Sequence, residues 1–260
     1  MEKRKMNYVE ENIKDYDRIF KDFKIEKKEK EVEDIFDIIK KYKKINKKTK
    51  LFEIGTGNGW FLIICKQKGL NCKGIDIVKS NIKFAKKLGR EYGHDLEIKL
   101  GSIEDSEIGE NKYDIIVALS VFEHVLNWKE GIRNIYNALK KEGLFLFLST
   151  NKFALKSEEY DFPFYGWLPD KMRYKLRISK QGPKIMRCGI DFNQFTYPKL
   201  IKIFNKIGFK TIYTPFEFLE AENFNSSIIY KIAFILGKKF KLLRYIILQF
   251  MPLTYLVSIK

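Results

Sequence analysis

Between residues 50 and 148 the chain alternates short, nearly all-apolar runs with stretches of helical spacing, and this rhythm restricts its fold more than any other feature. The apolar runs are 50–54, 72–76, 96–100, 113–119 and 144–148, each ended by a turn residue or a change of pattern. Helical stretches at 60–68, 79–92 and 128–140 separate them. Strands that are apolar on both faces need cover on both sides, so the runs belong to a largely parallel sheet with helices above and below. Val32, Ile35, Phe36, Ile39 and Tyr42 mark one more amphipathic helix before the first strand. A helix at 198–207 closed by Gly208, a strand at 209–214 and a last strand at 253–259 complete the set. The expectation is a doubly wound, Rossmann-like α/β domain with a mainly parallel seven-stranded sheet, helices on both faces, and an insertion after the fifth strand.

A chain of 260 residues with 45% hydrophobic content can bury one core well but not two. Residues 1–30, rich in Lys, Glu and Asp, are read as a charged lid or disordered segment, and 31–260 as the domain. Within it, 151–195 is an aromatic and basic insertion on the acceptor side, and 224–260 a C-terminal helix plus the last strand. The formal charge of +17 attracts polyanions in principle, yet the lysines are spread through almost every segment and mark no patch. Cys65, Cys72 and Cys188 form no CxxC pair, which argues against a disulfide framework or a zinc site, and the N-terminus has no apolar signal core. A cytoplasmic protein is expected. The apolar stretch 242–259 is interrupted by Arg244 and Pro252, short of the ~20 clean residues of a spanning helix. It is read as a buried helix before the final strand. The other reading is an interfacial helix beside Lys238, Lys239, Lys241 and Arg244, with peripheral contact at the inner membrane face.

The turn after the first strand is Glu53-Ile54-Gly55-Thr56-Gly57-Asn58-Gly59. In open parallel sheets a ligand lies beyond the carboxyl ends of the strands, and this loop is the usual place. Gly55 and Gly57 permit a tight bend and close approach of backbone to ligand, and Gly59 opens the next helix. A dinucleotide fingerprint needs its third glycine one place later, where Trp60 stands, and it would set Glu53 against a pyrophosphate. S-adenosylmethionine, with a sulfonium and an ammonium, suits an acid there. Asp76, at the end of the second strand, is read as accepting both ribose hydroxyls, its other role being to cap the following helix. Ile77 follows it, and Ser102 and Ile103 end the third strand where the adenine edge would lie.

Taken in order, these pieces resemble the class I S-adenosylmethionine-dependent methyltransferases over residues 32–215. The resemblance implies S-adenosyl-L-methionine as cofactor, held by Glu53, Gly55, Thr56, Gly57, Gly59, Asp76, Ile77, Ser102, Ile103 and Leu119. The run Phe122-Glu123-His124-Val125 is similar to the Leu-Glu-His-Val of small-molecule members, including ubiquinone-biosynthesis O-methyltransferases. Some relatives hold a divalent metal with an earlier acid, the Glu and the His; Ser120 occupies the acid's place, and no metal is expected. His124 is the candidate general base, its alternative role being to orient the loop. Asp114, starting the fourth strand, is expected to fix local backbone.

After the fifth strand, Ser149-Thr150-Asn151-Lys152 resembles the Thr-Pro-Asn segment of methyltransferases acting on small molecules and glycans. The run from Phe192 to Pro198 resembles their His-x-x-x-Phe-Thr segment, with Asp191 or Phe192 where a histidine is common. Phe162, Phe164, Tyr165 and Trp167 either wall a pocket for a sugar, phenol or prenyl chain or simply cover the sheet. The expected activity is methyl transfer to a small-molecule, glycan or lipid-linked acceptor, on oxygen. Two alternatives stand beside it. The bases Lys171, Arg173, Lys175, Arg177, Lys180, Lys184 and Arg187 among aromatics also suit single-stranded RNA, whose binding would weaken steeply with salt. A silent partner or regulatory subunit with the same fold is the other, against which the intact glycines and Asp76 speak.

Overall fold

Every apolar run forms a strand: β1 (Lys50–Ile54), β2 (Asn71–Asp76), β3 (Ile98–Leu100), β4 (Tyr113–Leu119), β5 (Leu139–Thr150), β6 (Thr211–Tyr213) and β7 (Leu253–Ile259). The computed structural model describes residues 23–157, 162–181, 193–221 and 228–260. The strands form one sheet in the order β3-β2-β1-β4-β5-β7-β6. Neighbours from β3 to β5 are parallel, whereas β7 runs antiparallel between β5 and β6. The order reverses at β1, between β2 and β4, so a crevice opens where the β1 and β4 loops part.

Helices α1 (Glu29–Lys40), α2 (Trp60–Gln67), α3 (Lys79–Glu91), α4 (Trp128–Ala138), α5 (Asp170–Gln181), α6 (Tyr197–Ile207), α7 (Pro215–Phe218), α8 (Ile228–Lys239) and α9 (Lys241–Phe250) connect and cover the strands. One core cluster joins Phe52, Ile116, Phe145 and Phe147 to α4 and α6. The other joins Leu51, Ile115, Val117 and Leu146 to α1, α2 and α3. Alternate residues of β1, β4 and β5 thus feed opposite cores, as a central sheet covered on both faces requires. Asp114 fixes backbone as expected: its Oδ2 accepts the Lys50 N–H at 2.9 Å, and both oxygens accept from Lys140 Nζ.

Several boundaries need correction. β3 is shorter than 96–100. α4 stops at Ala138, and β5 starts at Leu139, because Leu139 pairs with Tyr113 before a register shift lets Leu144 pair with Ile115. Residues 1–22 of the charged segment lie outside the described residues, but a 3-10 turn at Ile25–Lys28 buries Ile25 against α2, so packing begins before residue 31. The single buried C-terminal helix is replaced by two, α8 and α9, that expose much of their apolar surface. Cys65 and Cys72 are buried free thiols, and Cys188 lies outside the described residues.

Gly74 in β2 lies directly beneath the turn. A Cβ built there would sit 2.2 Å from Thr56 Cγ2 and 3.1 Å from the Glu53 carbonyl oxygen. Backbone cannot retreat within a paired ladder, so Gly74→Ala is expected to cost about 1–3 kcal/mol of stability. The check is a lowered urea midpoint with an unchanged slope.

Candidate active site

β1 carries Glu53 inward, and the chain must bend sharply to enter α2. The Gly55 N–H donates to the Ile75 carbonyl at 2.8 Å, and Gly59 (φ +80°) closes the bend. A side chain at Gly59 would meet Ala85 at 2.8 Å and Leu96 at 3.0 Å, so α2 and α3 can approach only because none is there. Gly57 is different: it has φ +52°, and a Cβ there would meet nothing within 4 Å. Its open side is where a ligand can touch the backbone.

Asp76 belongs to the neighbouring strand and reaches across to this turn. Its Oδ2 accepts the Gly57 N–H at 2.8 Å, and its Oδ1 accepts the Val78 N–H at 2.8 Å. Asp76 is thus not the N-cap of α3, which is Val78, and each of its carboxylate oxygens keeps a second lone pair. Burial pushes the Asp76 carboxyl up from its ordinary range, while hydrogen bonds from Val78, Gly57 and Asn81 pull it back.

Glu53 is 2% exposed. Burial drives its carboxyl well above the usual range, with Cys72 and then Asp76 adding to the effect. Asp76 is thus near enough to Glu53 to act on it electrostatically. Among the described residues, Glu53 Oε2, Thr56 Oγ1 and Asn58 Nδ2 are buried without a hydrogen-bond partner. Each such group costs about 1–3 kcal/mol. All three stand at one bend, where a polar ligand would give them partners.

The residues expected to meet the adenine are less uniform. Ile77 and Leu100 are exposed at the ends of β2 and β3, an apolar surface on which a flat base can rest. Ser102 Oγ accepts the Glu104 N–H at 3.2 Å. Ile103 sends its side chain into the core beside Gly131, and its carbonyl accepts from Asn134 Nδ2 at 2.9 Å. Any contact of Ile103 with a base therefore falls to its backbone. Leu119, half-buried at the end of β4, packs with the second core cluster.

Past β4 and β5 lies a cavity of about 200 Å³, lined by Ser120, Glu123, Thr150, Asn151, Ala154, Ser157, Gly166, Gln194, Pro252 and Leu253. Ser120 holds φ +52°, a conformation that costs a non-glycine residue energy and tends to persist where function needs it. Glu123 is buried in the short turn Phe122–His124 and accepts the Ser149 hydroxyl at 2.5 Å. Asn193 straps the end of the insertion onto this turn: its N–H donates to the Glu123 carbonyl, and its Nδ2 to the carbonyls of Phe122 and Val125. His124 is half-buried at the end of the same turn and is not among the lining residues. No group of three His, Cys, Asp or Glu side chains among the described residues is arranged to hold a metal.

The sequence reading named segments 149–152 and the run beginning at Phe192 but gave no role to Thr150, Asn151 or Gln194, which form this wall. It also treated Glu123 only as a member of an incomplete metal set. Arg173 and Arg177, named among the bases that suit single-stranded RNA, are each 1% exposed, and Arg173 pairs with Asp170 at 2.7 Å and stacks on Tyr165. Lys184, Arg187, Asp191 and Phe192 lie outside the described residues.

The sheet reverses at β1, and two buried acids, Glu53 and Asp76, stand at the turn that follows it. The fold and site together are those of a class I S-adenosylmethionine-dependent methyltransferase. The chain belongs to the Methyltransferase domain family, which it matches over residues 26–213. It is 27% identical over 128 residues to the ubiquinone biosynthesis O-methyltransferase of Rickettsia prowazekii, a match covering 47% of this chain and 49% of that protein. The corresponding enzyme of Rickettsia canadensis is 29% identical over 129 residues, covering 47% and 52%. The chain thus spans about half the length of these curated relatives.

Solved structures share the fold at low identity. Phosphoethanolamine N-methyltransferase 2 of Haemonchus contortus, in complex with S-adenosyl-L-methionine, superposes with a TM-score of 0.59 at 18% identity, over 98% of this chain and 58% of that one. A SAM-dependent methyltransferase from Archaeoglobus fulgidus gives 0.57 at 16% identity, over 94% and 98%.

Proposed function

We propose that the chain methylates a hydroxyl oxygen of a small-molecule, glycan or lipid-linked acceptor seated in the cavity beside Glu123. The observation that carries this reading is the cavity's chemistry. Its described lining offers hydroxyls, amides and one buried carboxylate, with no lysine or arginine. Such a wall suits a neutral hydroxyl-bearing group at the reacting centre. The relatives' O-methyltransferase activity is in keeping with oxygen as the target.

S-adenosylmethionine, when bound, supplies a methyl group already activated by its sulfonium. The protein's contribution is then alignment and removal of a proton. Glu53 and Thr56 would hold the polar end of the cofactor, Asp76 the ribose, and Ile77 with Leu100 the base. Glu123, kept in orientation by the Ser149 hydroxyl, would accept the hydrogen bond of the acceptor hydroxyl and take its proton as the new carbon–oxygen bond forms. His124 in this scheme orients the turn. Because the leaving group is activated beforehand, Glu123→Gln is expected to lower kcat by about tenfold, with the affinity for S-adenosylmethionine unchanged. His124→Ala should retain turnover at neutral pH. The reverse pattern in a single-turnover assay would move the base to His124.

RNA is the weaker reading, since two of its candidate arginines are buried and the cavity's described lining is uncharged apart from Glu123. The acceptor class is tested by incubating the protein with methyl-labelled cofactor and a fractionated cell extract. Label in a lipid, glycan or small-molecule fraction supports the proposal, and label in RNA overturns it.

A further inference from the structure

Helices α8 and α9 form a hairpin whose inner side is well occupied. Phe234 stacks on Phe216 with centroids 4.6 Å apart, a Cβ at Gly237 would lie 2.5 Å from Phe216, and Leu248 is buried. The outer side is covered by nothing in the described chain. Ile232, Ile235 and Leu236 on α8, with Leu242, Tyr245 and Ile246 on α9, are exposed, Leu242 to 75%. Spacings of three and four residues put each set on one helical face. Since both helices seat their opposite faces on the body, the two exposed faces point outward together.

This apolar surface continues onto the insertion. Phe250 at the end of α9 meets Trp167 with centroids 6.1 Å apart, and Trp167 meets Phe164 at 5.5 Å; all three are exposed. Trp167 Nε1 donates to the carbonyl of Ala154, a residue of the acceptor cavity, and Asn151 of the same cavity donates to the carbonyls of Leu248 and Met251 in and just after α9. The surface therefore borders the cavity. Its charge is one-sided. Glu217 and Glu220 are neutralised by Arg244 and Lys238, while Lys239 and Lys241 stand exposed on either side of the exposed Phe240 at the hairpin tip. Apolar side chains, a rim tryptophan and cations at one edge are what a bilayer interface rewards. No described helix is long and apolar enough to cross a membrane.

We propose that the α8–α9 hairpin and the Trp167 edge dock on a lipid bilayer carrying anionic headgroups, with both helices lying in the interface. This goes beyond the acceptor reading, because it stands on the surface alone and holds whether or not the acceptor is a lipid.

The test uses the full chain, without cofactor or acceptor, and flotation with vesicles of phosphatidylcholine alone or mixed with phosphatidylglycerol. The protein should float with the mixed vesicles and much less with the neutral ones. The double variant Leu242→Glu/Ile246→Glu should lose at least about tenfold in partitioning while keeping its melting temperature, since both positions are exposed. Lys239→Ser/Lys241→Ser should lose the part of binding that salt also removes. Three results overturn the proposal: no flotation, equal flotation of the glutamate variant, or a solution dimer that the glutamate variant splits. The last would make a second copy of the chain the occupant.

Discussion

Gly57→Val is expected to reduce the affinity for S-adenosylmethionine by more than about a hundredfold, roughly 2.7 kcal/mol, while leaving a folded protein. Two effects act together. At φ +52° an L residue pays about 1–2 kcal/mol, more when β-branched. That strain falls on stability and is small enough to survive. The larger effect is on binding: the position faces open space, so a branched side chain projects into the room the ligand needs. Asp76→Ala should weaken binding comparably for another reason. It removes the acceptor of the Gly57 and Val78 N–H groups, so the bend loses its tie to β2 along with the carboxylate proposed to hold the ribose. Asp76→Asn, which keeps one acceptor oxygen, should recover the melting temperature better than it recovers affinity. Titration calorimetry on each variant, with circular dichroism melts as the folding control, decides the matter. A folded Gly57→Val protein with unchanged affinity would remove the cofactor from this turn.

Much of this site could be read in the sequence because its parts are local. Glu53 and the three glycines lie within seven residues, and Asp76 ends the next strand, so β-α alternation alone puts them on one crevice. The sequence left Asp76 between capping and ligand binding; the N-cap of α3 is Val78, and Asp76 accepts the N–H of that residue and of Gly57. The acceptor cavity was hidden for the opposite reason. Ser120 and Glu123, Thr150, Gln194 and Leu253 come from four stretches, which the parallel pairing of β4 with β5 and the insertion of β7 antiparallel beside β5 help to bring together. No local spacing announces such a wall. The polar start of β5, Lys140 to Glu142, masked a strand whose pairing with β4 begins at Leu139 and resumes, after a register shift, at Leu144. The C-terminal apolar run was read as buried because hydrophobicity tells which residues avoid water, not whether the rest of the fold supplies a cover. In α8 and α9 only one side is covered.

Glu53→Gln should move stability and binding in opposite directions, and pH should separate the two. The native carboxyl titrates well above its ordinary value of 4.5, chiefly because it is buried. Below that value both folded and unfolded chains hold the proton, and the residue's contribution to stability is fully present. As pH rises past it, the unfolded chain releases the proton and the folded chain keeps it. Stability of the ligand-free protein then falls by about 1.4 kcal/mol per pH unit from this residue, until the folded value is reached. Glutamine carries no proton to lose, so the variant should melt higher than the wild type at pH 7 and the gap should close near pH 4. Binding follows the other sign. A cationic ligand favours the ionised carboxylate, so the wild type should release a proton on binding S-adenosylmethionine and bind it more tightly as pH rises. The variant should bind about ten- to a hundredfold more weakly at pH 7, with no release from this position. Calorimetry in two buffers of different ionisation enthalpy reads that proton directly. Equal proton release in both proteins would mean that residue 53 does not meet the ligand's positive charge, and the choice of a cation at this turn would lose its physical basis.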